Sequence, residues 1–213
     1  GQLCRWLATQ AESLGVQIFP GFAATQVLYA ANAQVIGVST GDMGVDKTGN
    51  KKPNYQAGIN ILAKYTVCAE GSRGSITKEI INKFNLQQDS APQTYALGIK
   101  ELWEIPAAQH KAGTVIHTIG WPLDINTYGG SFIYYLAPNL LALGLAVGLD
   151  YRNPYLSPYE EFQRFKLHPK IKAMLQNGRC LEYGARVINE GGLQSLPKLY
   201  FPGGLLVGCA AGF

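Results

Sequence analysis

Charge is what this sequence has least of. Lys, Arg, Asp and Glu make up 15% of its 213 residues, against roughly 25% in ordinary soluble domains. The net charge of +4 is spread along the chain without a basic block. That spread argues against a nucleic-acid footprint and leaves only a slight attraction to anionic lipid. Clustered cysteine is missing too: Cys4, Cys68, Cys180 and Cys209 stand far apart, with no C-x-x-C pair. Neither zinc nor an iron–sulfur cluster finds its usual grouped thiolates, and the ordinary reading is buried free thiols in a reducing compartment. No apolar run approaches the ~20 residues of a spanning helix; the longest, residues 140–149, is half that. An initiator Met and a leader are absent, and Gly1 runs straight into helical periodicity, as in a piece cut from a longer protein.

Apolar residues and punctuation are abundant. Hydrophobic side chains reach 47%, enough for a sizeable core, and 25 glycines with 11 prolines announce many turns. Leu3, Trp6, Leu7, Ala11 and Leu14 recur at helical spacing before Gly15. "VQIF", "AATQVLYA", "QVIGVST" and "INILAKYTVCA" read as strands, with the polar stretch "GDMGVDKTGNKKPN" as an exposed loop. "CAEGSRGSITKEIINKF" turns from strand to helix, with Ser75 as the expected N-cap. From Gln93 onward, "TYALGIKELWEI", "GTVIHTIGW", "GSFIYYLA" and "LLALGLAVGLDY" suggest a four-stranded antiparallel sheet. A helix follows Ser157 and Pro158 and is broken by Pro169.

His110, His117 and His168 have no Ser or Cys partners at a spacing that builds a nucleophile, and Glu104, Asp124 and Asp150 show no pairing that builds an acid–base couple. Hydrolase chemistry has no foothold. Two features point instead to bound ligands. The turn "CAEGSRGS" at a helix N-terminus suits an anion, or is an ordinary glycine turn. "GWPLDINTYGGSFIYYL" interleaves aromatics with Gly129 and Gly130. The pair permits either a β-bulge or a flat ligand lying against bare backbone.

These strings together, with "APQTYALGIKELWEIP", "VGLDYRNPYLSPYEEFQRFKLHP" and "GARVINEGGLQSLPKLYFPGGLLVGCAAGF", closely resemble the electron transfer flavoprotein–ubiquinone oxidoreductase family from one end of the chain to the other. The resemblance implies an α+β fold: part of an FAD domain of the glutathione-reductase and p-hydroxybenzoate-hydroxylase type, with an inserted antiparallel-sheet ubiquinone-binding domain. Residues 1–90 would be the middle of the FAD domain, 91–184 the ubiquinone domain and 185–213 a return to the FAD domain. It implies ubiquinone at Gly129 and Gly130, lined by Tyr128, Thr127, Trp121 and Phe132. It implies FAD contacts from Glu70, Gly71, Gly74, Gly208 and Gly212, with Cys209 where related flavoproteins carry Asp.

The parent would take electrons from electron transfer flavoprotein, use FAD and a 4Fe-4S cluster, and reduce ubiquinone. It would lie monotopically on the matrix side of the mitochondrial inner membrane or on a bacterial cytoplasmic membrane. The family's G-x-G-x-x-G unit and its clustered cysteines have no counterpart here, so the isolated chain is expected to be inactive. Two alternatives remain: a geranylgeranyl-reductase-like FAD enzyme, or a non-catalytic quinone- or lipid-binding module.

Overall fold

The structure, a computed structural model, describes residues 2–213. Helix α1 (Gln2–Ser13) carries an apolar stripe of Leu3, Trp6 and Leu7 but buries none of it. Strands β1 (Ala24–Tyr29) and β2 (Val35–Thr40) pair antiparallel; β3 (Met43–Val45) and β4 (Lys51–Gln56) form a hairpin, and β5 (Asn60–Leu62) joins β2. β6 (Thr66–Cys68) then leads into α2 (Ser75–Lys83). The five-stranded sheet is built from β7 (Tyr95–Glu104), β8 (Val115–Ile119), β9 (Gly129–Leu136), β10 (Leu140–Gly148) and the later β11 (Arg179–Asn189). Between the last two come α3 (Pro158–Leu167) and α4 (Pro169–Leu175), and the chain closes with β12 (Tyr200–Phe201) and β13 (Gly204–Leu206).

The order across the large sheet is β11-β7-β10-β9-β8, with every pair antiparallel. Alternation decides its two faces. Ile99 on β7, Ile133 and Tyr135 on β9, and Leu141, Leu143, Leu145 and Val147 on β10 form one buried layer with Phe162, Phe165 and Ile171 of the helices. The other face carries small residues at the centre, Gly98, Ala142, Gly144 and Ala146, flanked by Phe132 and Tyr134. Phe132 lies across Gly144, where a Cβ would sit 2.5 Å from its ring. That contact explains a glycine in the middle of a strand, where it otherwise weakens pairing.

A second core joins Val27 and Val35 to Cys68, Ile76, Ile80, Phe201 and Leu206. Here β13 runs parallel to β6, next to α2. The architecture is α+β, and the two regions are stitched where the chain leaves and re-enters. Gln93 Oε1 accepts from the Gly191 N–H at 2.7 Å, Ser195 Oγ donates to the Pro92 carbonyl at 2.9 Å, and Ser72 Oγ donates to the Val187 carbonyl at 2.8 Å.

Several local expectations change. "VQIF" is not a strand; Val16, Ile18 and Phe19 stand exposed without a pairing partner among the described residues. The polar stretch from Gly41 is not an irregular loop, because Asp46 accepts from the Thr48 and Asn50 N–H groups and shapes a hairpin turn. "INILAKYTVCA" splits into β5 and β6, which belong to different sheets. The N-cap of α2 is Gly74 rather than Ser75, and the capping bonds come from further back: Glu70 accepts from the Thr77 N–H at 2.6 Å and from its hydroxyl at 2.7 Å. Sequence patterns place a cap by its neighbour, so a carboxylate reaching across the turn is invisible to them. The breaking of the second helical region by Pro169 and the Ser157 cap, which accepts from the Glu160 N–H, are as expected.

Nor are the thiols all buried. Cys68 is, but Cys4, Cys180 and Cys209 are exposed. Burial, reinforced by Glu70, also pushes the Cys68 thiol above its ordinary value. Burial and the nearby Glu101 also push the Cys180 thiol up, so titration of the native chain with a disulfide reagent at pH 8 should show two fast thiols, a slower one at Cys180 and a fourth that reacts only on denaturation. Four fast thiols would mean that the core around Cys68 is not formed.

Candidate flavin and quinone sites

Gly129 and Gly130 open β9 in continuous register, Gly130 opposite Ala146 and Ile119 and Gly129 opposite Val147. No bulge occurs there. Neighbouring residues of a strand face opposite ways, and the two glycines do so. A Cβ on Gly129 would fall 2.5 Å from Leu123 in the buried layer, whereas one on Gly130 would sit 2.8 Å from the Thr118 carbonyl and 3.6 Å from Ile119 on the open face. The sheet's own backbone therefore already requires glycine at both positions.

Phe132 shares the open face with Gly130 and stacks on Tyr134, with centroids 4.9 Å apart; the ring of His117 meets Tyr134 edge-on at 5.7 Å. Ile119 is 89% exposed beside them. Thr127 is committed to the turn before β9, donating its hydroxyl to Asp124 Oδ1 at 2.9 Å. Tyr128 accepts through its carbonyl from the Gly148 N–H at 2.8 Å and leaves its ring exposed. Trp121 packs on His168 at the α3–α4 junction, centroids 5.2 Å apart, so its ring is gathered with the helices. His168 caps α4, and His110 Nε2 meets the Leu136 carbonyl at 2.9 Å.

The second glycine-rich constellation converges. Gly74 and Gly212, distant in sequence, line one cavity of about 230 Å³ together with Ser72, Arg73, Gln93 and Asn189. Gly71, Gly208 and Gly212 have φ of 81°, 58° and 90°, which glycine alone adopts readily. Glu70 faces inward to α2, as described, and a Cβ on Gly74 would meet its carboxylate at 2.6 Å. Asn189 was not singled out by the sequence. Its Nδ2 donates to the Cys209 carbonyl at 2.9 Å, which fixes the orientation of the amide and leaves Oδ1 buried with no donor. A bonding capacity left open in a buried place calls for a partner. Only the asparagine's position after a β-branched strand run hinted at it.

Known proteins resemble this chain in sequence and in fold. Residues 95–188 match the family model described as ETF-QO, ubiquinone-binding. The whole chain is 56% identical to the mitochondrial electron transfer flavoprotein-ubiquinone oxidoreductase of Dictyostelium discoideum, 54% to that of Arabidopsis thaliana and 52% to that of Homo sapiens. The chain belongs to the electron transfer flavoprotein–ubiquinone oxidoreductase family, as a segment of it. It covers all of its own length but only 34–35% of these relatives.

Among solved structures, a geranylgeranyl bacteriochlorophyll reductase-like protein from Thermoplasma acidophilum superposes on 99% of the chain, with 46% of its own length covered, a TM-score of 0.67 and 15% identity. A flavoprotein/dehydrogenase from Cytophaga hutchinsonii matches 100% of the chain and 47% of its own, with a TM-score of 0.61 and 17% identity. At such identities the likeness establishes the fold alone, an α+β portion of the architecture these two proteins share.

The crowding at Gly130 has a measurable consequence. Gly130→Ala should lower stability by about 1–3 kcal/mol, the usual range for overpacking, because the Thr118 carbonyl cannot yield without disturbing β8. Gly98→Ala, whose Cβ would meet nothing closer than the Arg186 carbonyl at 3.7 Å, should stay within about 0.5 kcal/mol of the parent. Urea unfolding of the two variants checks this; equal effects would contradict the assigned register.

Proposed function

We propose that this chain carries the ubiquinone-binding part, and a share of the flavin cradle, of an oxidoreductase that passes electrons from reduced electron transfer flavoprotein to ubiquinone. The observation carrying the reading is that the segment matched by the ubiquinone-binding model carries one sheet whose open face, on its β8–β10 side, is lined by glycine and apolar residues. A flat quinone ring suits such a surface: Gly130 keeps side-chain bulk off the backbone, Phe132 and Ile119 supply apolar contact, and Tyr128 stands exposed at the strand's start. Trp121 and Thr127 bear on the site through the loop that delivers Gly129.

The residues at the other cavity fit a flavin in kind. Gly74 and Gly212 lie at the wall, their bare sides packed against Glu70 and Gln93, while Arg73 offers a cation and Asn189 keeps a buried acceptor without a donor. Bound FAD would supply the electron relay; the chain's part is to hold it and shield it. Gly71 and Gly208 shape the turns, while Glu70 acts by fixing α2. The cavity is smaller than the roughly 300–1,000 Å³ of ordinary ligand pockets, so the remaining two-thirds of the parent would complete the cradle. We assign the 4Fe-4S cluster to the remainder of the parent; among the described residues no group of three or more His, Cys, Asp or Glu stands ready to hold a metal ion. We place the parent monotopically at the mitochondrial inner membrane or a bacterial cytoplasmic membrane; no helix here is long and apolar enough to span one.

A second reading, that the separate chain is a quinone- or lipid-binding module without turnover, is favoured by the small cavity. Titration with a short-tailed ubiquinone, followed by calorimetry, addresses both. The unsubstituted chain should bind saturably, and Ile119→Lys, which alters an exposed position, should bind about tenfold more weakly with its fold intact. Equal affinity in the two would remove the open face as the quinone site.

A further inference from the structure

The helical side of the large sheet holds a concavity that the quinone and flavin sites leave unused. It measures about 910 Å³ and lies between α3, α4 and the end of β7, lined by Trp103, Gln163, Lys166, Leu167, Lys172 and Leu175 among others. Trp103 and Lys166 have already spent their polar heads: the indole Nε1 donates to Glu101 at 2.7 Å, and Lys166 Nζ donates to both Glu101 oxygens at 2.7 and 2.9 Å. What these two residues offer the concavity is an indole face and an aliphatic stem.

Two lining groups remain unspent. Lys172 makes no ion pair among the described residues, and Gln163 buries its amide nitrogen without an acceptor. No carboxylate lines the space. Its rim pairs Lys172 with Leu167, which is 67% exposed. Cationic donors beside exposed apolar surface are the arrangement that receives the head and the first carbons of an anionic amphiphile.

We propose that this concavity binds a single-chain anionic amphiphile, its phosphate or carboxylate on Lys172 and the Gln163 amide and its chain against Trp103, Leu167 and Leu175. The site lies behind the sheet, on the face opposite Gly130, and does not depend on the quinone assignment. Both a bilayer lipid and a free monomeric acid carry this chemistry.

The test uses the full chain with Trp6→Phe and Trp121→Phe, so that Trp103 is the sole tryptophan and is excited selectively over tyrosine. Dodecyl phosphate, kept below its micellar concentration, is titrated in parallel with inorganic phosphate at constant ionic strength. The amphiphile should give a saturable change and inorganic phosphate none; Lys172→Glu should weaken binding about tenfold, with Lys172→Gln between. Calorimetry on the unsubstituted chain repeats the comparison without the reporter changes, and circular dichroism verifies each fold. Co-sedimentation with phosphatidylglycerol vesicles that Lys172→Glu abolishes would assign the ligand to the bilayer, and monomer binding without co-sedimentation would assign it to a free amphiphile. Absence of a saturable response, an equal response to inorganic phosphate, or parent-like binding by a folded Lys172→Glu chain would overturn the proposal.

Discussion

Everything in this structure depends on how two chain passages, one near residue 92 and the other near residue 191, are held side by side. Gln93 bonds the Gly191 N–H through its oxygen and the Gly212 carbonyl, at 3.3 Å, through its nitrogen. Ser195 is 2% exposed and donates to the Pro92 carbonyl, with the Gly191 carbonyl 3.2 Å from the same oxygen. These neutral bonds are each worth only about 1 kcal/mol net, yet losing one partner of a buried pair costs more than the bond itself contributes. They fix the sheet relative to α2, and so bring Gly74, Asn189 and Gly212 around one cavity.

At Gly130 backbone crowding and the proposed quinone contact fall on one residue. Gly130 and Gly144 are demanded by neighbouring carbonyls and by the Phe132 ring before any ligand is considered. The result is nonetheless a smooth, side-chain-poor surface, which is what a planar ligand needs. Glycine in such a strand is therefore weak evidence of a ligand by itself; the surrounding exposed apolar residues and the family match give it meaning.

Much of the architecture was legible from pattern. Strands β7 to β10 announce themselves through runs of apolar and aromatic residues closed by Pro, Gly and Asn, and the Ser157–Pro158 pair marks the start of α3. What pattern could not reach was tertiary. The fifth strand, β11, is exposed along most of its length and lacks apolar alternation, and its ladder to β7 is what places it in the sheet; residues 184 and 185, expected from the resemblance to divide two regions, lie inside it. Glu70 reads as a ligand contact but caps a helix across a turn. The pairing of Asn189 with Cys209, and the meeting of Gly74 with Gly212, span separations that no local period encodes.

The central claim is that the quinone ring lies on the open face of the large sheet. Photolabelling the chain with an azido-ubiquinone and mapping the adducts by mass spectrometry tests it most directly. The account predicts adducts concentrated on β8 and the start of β9, between His117 and Phe132, suppressed by excess unlabelled quinone. Competable adducts confined to α1 or to the helical side of the sheet would contradict it.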